Sequence, residues 1–493
     1  MIKSVAKSTL NALGIDVEQA ARRVRNLPFI NHLERRRQAQ LVTNPAKRRE
    51  FVLNTVREFN PDISADKPSG IIRAATIWEG AGRFAWLDHA NKNLDLELVH
   101  LPRAIVSPAW AYWLNDYLTA SRNVLHLGEY ALDRYYQPRF ADAREAFRTY
   151  CTHAIGEVVR AFSIDVLIMP KINDDWTIDF INCAKSLGLP VIIDDREGAI
   201  TPQRLSVVPP RLRELLDVKF DCLCVHNEIH KELFVRSGLP AENIIVNGAP
   251  QSDYWSRPDL WKTRKEIHPK LEDDRFLIVF FSFGPRTYLN FYYGEEPRNW
   301  ASLGADFHKV LVELLAHHGD RIQIVYKSGG KPLRDQFPGY EVFIKEASPY
   351  INDRNYIELD GTFSSFDLLN NADTVFGFQT SGMIEAMFLD VPIIYGAWGE
   401  LFEDIKDTLL PLHNCAGLTY AETREKLYAA LELVITSDTP PSLSLRQKSA
   451  RKAMRESYFA KADGNVSLRL LEQAAYLAKT SIPTHQGAGH KNE

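Results

Sequence analysis

A chain of 493 residues exceeds the ~100–200 residues of a usual domain, so two or three cores are expected. With 45% hydrophobic and 25% charged residues it has the composition of an ordinary globular protein, which excludes a disordered, collagen-like or disulfide-scaffold chain. A formal net charge of −4 gives no whole-molecule field for nucleic acid, so no nucleic-acid partner is expected and any anion must be held locally.

Residues 1 to about 65 read as helices: LNALGIDVEQAARRV and AKRREFVLNTVREF carry apolar residues at helical spacing. This stretch is basic, with Lys3, Lys7, Arg22, Arg23, Arg25, Arg35, Arg36, Arg37, Lys47, Arg48 and Arg49 against Asp16, Glu18, Glu34 and Glu50. It reads first as a solvated helical face and second as a segment that lies peripherally on an anionic membrane. The start lacks the long apolar stretch and cleavage site of a secretion signal, and no apolar run reaches ~18 residues. Five scattered cysteines suit a reducing compartment, so the expected location is the cytoplasm, including the inner face of the membrane.

After the turn-rich break at 60–70, strand candidates are 71–78, 95–100, 123–128, 165–170, 189–194 and 220–225, most of them separated by helix-period segments. Cys222 and Cys224 alternate within the last of these and read as core residues on one strand face. Strand and helix alternate again beyond residue 275, through RFLIVFFSF, RIQIVYKS, DTVFGFQ and VPIIYGAW. Such alternation implies parallel sheets. The expected fold is α/β, two Rossmann-like domains facing a cleft, with an N-terminal helical extension and C-terminal helices. The boundaries fall at 1–65 (helical extension), 66–260 (first Rossmann-like domain), 261–440 (second Rossmann-like domain) and 441–493 (helices and tail).

Ligands of open parallel sheets sit at the carboxyl ends of strands, where helix N-termini present free N–H groups. In FGFQTSGMIEAMFLD, Thr380 and Ser381 stand at a helix start, where hydroxyls and amides can grip a diphosphate, and Gly382 permits close approach to the backbone. Glu385 follows Ser381 by four residues, on the same helix face, where a carboxylate can accept both hydroxyls of a ribose. The alternative is a plain cap and a helix-dipole partner.

The stretch 372–396 resembles the nucleotide-sugar site of GT-B glycosyltransferases of bacterial surface and capsular polysaccharide assembly, to which the glycerophosphotransferases of teichoic acid synthesis are related. Segments 225–255, 191–201 and 324–332 add to a likeness that covers about residues 160–435. The resemblance implies a nucleotide sugar as donor substrate, no separate cofactor, and the serine–threonine pair at phosphate with the glutamate at ribose. The same stretch is similar to one in nucleotide-sugar 2-epimerases. Near Lys327 the family's His-Pro is replaced by Ser328 and Gly329.

Transfer of a sugar needs charge to stabilise the leaving diphosphate and a base for the acceptor. Candidate cations are Lys327, Lys331, Arg334 and above all Arg286, which follows the tight Gly284–Pro285 turn, with surface ion pairs as the alternative. Asp194, Asp195 and Glu197 close the strand LPVII, and their mutual repulsion should raise one of them toward a catalytic range. Glu197 is the preferred base, Asp174 and Asp175 a second choice, and a solvated acidic turn the plain alternative. Glu79, Gly80 and Gly82 form a loop suited to the acceptor, a carbohydrate or lipid-linked carbohydrate. No metal requirement is expected, and His226 and His230 read as packed or exposed side chains. The sequence therefore points to a glycosyltransferase, with a 2-epimerase, a glycerophosphotransferase or a catalytically silent subunit of the same fold as alternatives.

Overall fold

The computed structural model describes residues 28–78, 85–91, 94–114, 135–172, 176–196, 198–215, 217–285, 287–289, 299–328, 339–437 and 442–480. Two helices, α1 (Pro28–Thr43) and α2 (Pro45–Phe59), lead into the first lobe. Asn44 caps α2 by accepting from Lys47 N, and Pro45 occupies the first turn, where no N–H is required. The lobe then runs through β1 (Ile72–Trp78), α3 (Ala85–Ala90), β2 (Leu96–Pro102), α4 (Ser107–Trp113), α5 (Ala141–Phe162), β3 (Val166–Met169), α6 (Thr177–Ser186), β4 (Val191–Asp194), α7 (Pro202–Leu215), β5 (Cys222–Val225), α8 (Glu228–Arg236) and β6 (Ile244–Val246). Every strand pair is parallel, in the order β2-β1-β3-β4-β5-β6.

The second lobe contains α9 (Arg264–Ile267), β7 (Phe276–Phe281), α10 (Ala301–His318), β8 (Ile322–Lys327), α11 (Tyr340–Ala347), β9 (Tyr356–Leu359), α12 (Ser365–Asn371), β10 (Thr374–Gly377), α13 (Ser381–Ala386), β11 (Ile393–Gly396), α14 (Glu400–Ile405), β12 (Thr419–Ala421) and α15 (Arg424–Thr436). Its parallel sheet has the order β12-β11-β10-β7-β8-β9. Counted from its own first strand this is 3-2-1-4-5-6, the doubly wound Rossmann order. Chain direction across the sheet reverses between β7 and β10, and Phe281 there pairs with Gly377. In doubly wound sheets the ligand crevice lies at such a switch point, outside the carboxyl ends of the strands. Strands such as FLIVFF are apolar on both faces because helices cover both.

Two helices close the chain. α16 (Leu445–Phe459) stays with the second lobe, where the buried Arg451 guanidinium donates to Gly417 O and Leu389 O at 2.8 and 2.7 Å. α17 (Val466–Thr480) returns to the first lobe. Its Leu470, Leu471, Ala474 and Ala478 pack on Ala74, Val166, Ile192, Cys222 and Cys224 of the first sheet. Both cysteines are buried on that face of β5. The connector between the lobes, Ala249–Thr263, is held to the second lobe: Tyr254 Oη donates to Asp367 at 2.7 Å, and Trp255 stacks on Phe388 at 5.4 Å. Two Rossmann-like lobes and a helix that crosses back between them make up the fold. Among the described residues, no helix is long and apolar enough to cross a membrane.

Candidate functional site

At the switch point of the second sheet, Gln379 has φ 39°, a left-handed conformation unusual for a residue with a side chain. Its buried amide fixes the bend: Nε2 donates to Tyr395 Oη at 2.7 Å and Leu410 O at 3.0 Å, and Oε1 accepts from Leu410 N at 2.9 Å. The next residue, Thr380, is the N-cap of α13 and accepts from Gly382 N at 3.3 Å. Ser381 is exposed, and its hydroxyl favours the charged form of the Glu385 carboxyl one turn on. A Cβ at Gly382 would lie 3.0 Å from Phe281 Cζ, so the glycine also seats that ring. Ser381 and Glu385 are the polar side chains of α13.

Burial pushes the Glu385 carboxyl up to about 7, while the Ser381 hydroxyl and the charge on Lys327 pull the other way. Lys327 ends β8, buried, and donates to Ser328 O and Asp360 O at 2.9 and 2.7 Å. Burial lowers its ammonium to about 8, opposed by Asp360 and Glu385. The ammonium and the carboxyl thus sit in one field, with titrations bracketing neutrality. Ser282, directly after β7, has a buried Oγ with no hydrogen-bond partner among the described residues. Sequence reading passed over Ser282 and took Gln379 only as a strand end. An unpaired hydroxyl and a positive φ are properties of the fold, with no residue-type signature.

The first lobe gathers a second group at the end of β4. Asp194 is 8% exposed, and its Oδ1 has no hydrogen-bond partner among the described residues. Its carboxyl is raised to about 8, by burial first and then by Asp195 and Asp253, with Arg196 opposing. Repulsion between crowded acids is present as expected, but desolvation is the larger cause. Asp195 is fully buried: Oδ2 accepts from Ile172 N at 3.2 Å, and Oδ1 lies 3.4 Å from His230 Nε2. The loop after Asp195 faces the second lobe, where Ala199 packs on that lobe's core. Asn227 Nδ2 ties it there, donating to Gly198 O at 3.0 Å and Tyr458 O at 2.8 Å.

Ser381, Glu385 and Lys327 are thus brought together in one lobe, and Asp194 and Asp195 in the other. Glu197, Arg286, Glu79, Gly80 and Gly82 lie outside the described residues, as do Asp174, Asp175, Lys331 and Arg334.

No family model matches the sequence, and neither does any curated protein. Among solved structures, the chain is similar to a UDP-GlcNAc 2-epimerase from Methanocaldococcus jannaschii, at 13% identity and TM-score 0.49, over 82% of this chain and 99% of that one. It is also similar to a putative UDP-N-acetylglucosamine 2-epimerase from Listeria monocytogenes, at 14% identity and TM-score 0.48, over 83% and 97% of the two chains. A glycosyltransferase from Rickettsia africae has 12% identity and TM-score 0.42, over 83% and 99%.

Proposed function

We propose that this protein is an enzyme of nucleotide sugars, a glycosyltransferase that moves a sugar from a nucleotide donor to a surface polysaccharide or glycolipid acceptor. The observation that carries the reading is the placement of Ser381, Glu385 and Lys327 at the crevice of a 3-2-1-4-5-6 sheet. Ser381 has a hydroxyl for a phosphate oxygen, Glu385 a carboxylate for a ribose diol, and Lys327 a cation for the leaving diphosphate. In the facing lobe Asp194 holds a proton at neutral pH and can exchange it near its titration point. Together with Asp195 and Glu197 it forms the acid–base side. Glu79, Gly80 and Gly82 take the acceptor side, and Arg286 joins the donor phosphates. Exposed Arg35, Arg36 and Arg37 on α1 support a peripheral contact with an anionic membrane face, where a lipid-linked acceptor would be held.

A 2-epimerase reading draws on the same acid: a group raised to about 8 can both give and take a proton on a single bound donor. Incubation with UDP-, GDP-, CDP- and CMP-linked sugars, with and without acceptor, separates the readings. A transferase releases nucleotide in proportion to acceptor glycosylated; isomerised donor without acceptor means an epimerase, and inert donors mean a silent subunit. The Asp194→Asn variant is expected to lose activity ~100-fold or more, with donor affinity kept within about twofold. Full activity in that variant would remove Asp194 from the chemistry.

A further inference from the structure

Arg103 stands directly after β2, opens the single turn Arg103–Ile105, and is exposed. Its guanidinium carbon lies 5.5 Å from the ring centroid of Trp176, the N-cap residue of α6. That ring is 1% exposed and meets Phe180 edge-on at 5.6 Å, so the cation rests on a fixed surface. The backbone of the turn is fixed as well. Val106 N and Ser107 Oγ each donate to Arg103 O at 3.1 Å, and Tyr150 Oη of α5 donates to Ile105 O at 2.8 Å. Among the described residues, nothing accepts a hydrogen bond from the guanidinium and no carboxylate pairs with it. Other arginines of this lobe behave differently: Arg73 pairs with Glu97, Arg144 with Asp179, Arg148 with Glu145 and Arg160 with Glu157.

The sheet gives this cation a place. β1 has β2 on one side and β3 to β6 on the other, so the order of the first sheet reverses at β1. Arg103 follows one flanking strand, and Trp176 belongs to the segment that follows the other. Their contact therefore joins the chains that leave either side of β1 at its carboxyl end, where parallel sheets bind ligands. A guanidinium already held on a ring gives up little freedom on meeting an oxyanion, and its fork matches two oxygens of a phosphate or a carboxylate. We propose that Arg103 is an anion-binding residue of the first lobe and takes an oxyanion of the acceptor, the phosphate of a lipid-linked carbohydrate or the carboxylate of an acidic sugar. Assigning that anion to an acceptor rests on the transferase reading, in which the donor occupies the second lobe.

The test uses the full-length protein with 5-fluorotryptophan at its nine tryptophans, and Trp176→Phe to assign the ¹⁹F signal of Trp176. Inorganic pyrophosphate and glucuronate are titrated separately. At least one should move the Trp176 signal to saturation: pyrophosphate alone points to a phosphate-bearing acceptor, glucuronate alone to an acidic sugar. Arg103→Gln should bind that anion about tenfold more weakly, and Arg103→Lys, which keeps the charge and loses the fork, should fall between. In turnover, Arg103→Gln should raise KM for the acceptor and leave KM for the donor unchanged. A Trp176 signal unmoved by both anions, or the same titration in wild type and Arg103→Gln, overturns the proposal. The titration requires no turnover, so the two readings fail separately: inert donors would sink the transferase and leave the anion site standing, while a silent Trp176 signal sinks the site alone.

Discussion

Glu385 and Lys327 face the same difficulty: each has been taken out of water, and each is partly compensated by the charge of the other. Between about 7 and about 8 both are charged, and that is the state in which a carboxylate can accept ribose hydroxyls while an ammonium attracts phosphate. Nucleotide affinity should therefore rise as pH passes Glu385's titration and fall once Lys327 loses its proton. Calorimetry across that range should give a bell, and Glu385→Gln should lose its acid limb; a flat profile would mean that the ligand touches neither group. Much of this was legible in the sequence, because four-residue spacing after a strand end puts Ser381 and Glu385 on one helix face. The packing of Gly382 against Phe281 was not legible, since a glycine that admits a ligand and one that seats a ring look alike in a sequence.

At the scale of elements, long periodic segments such as α5, α6 and α10 announce themselves, while short or irregular ones do not. β12 has three residues, too few to show a period. α7 carries Pro209 and Pro210 in its interior, a pair that argues against helix, yet it is helical from Pro202 to Leu215. The role of α17 lies in a contact far along the chain: Asp253 of the connector accepts from Val466 N at 3.0 Å and Ser467 N at 2.7 Å, capping the helix from more than 200 residues away. Asp253→Ala should cost about 1–2 kcal/mol, concentrated where α17 begins. Hydrogen exchange should quicken in the first turn of α17 and leave α10 unchanged. Uniform loss of protection through both lobes would show that Asp253 supports the whole fold rather than this junction.

For the whole molecule, two sets of alternating strands and helices in series told of two lobes, but strand order is a matter of pairing between distant segments and cannot be read from alternation. On the proposed reading that order gives the likeness in residues 372–396 a location, at the carboxyl ends of the adjacent strands β7 and β10, which Ser282 and Ser381 follow. In the proposal the first lobe supplies Asp194, and α17, which follows the second-lobe helix α16, packs on the first sheet. The most direct test of a nucleotide-sugar enzyme built this way is isothermal titration of UDP, GDP, CDP and CMP into wild type and Glu385→Ala. One nucleotide should bind the wild type selectively, and the variant should bind it at least tenfold more weakly, about 1.4 kcal/mol, with its melting temperature unchanged. Equal affinity in the two proteins, or no binding of any nucleotide to the wild type, would contradict the account.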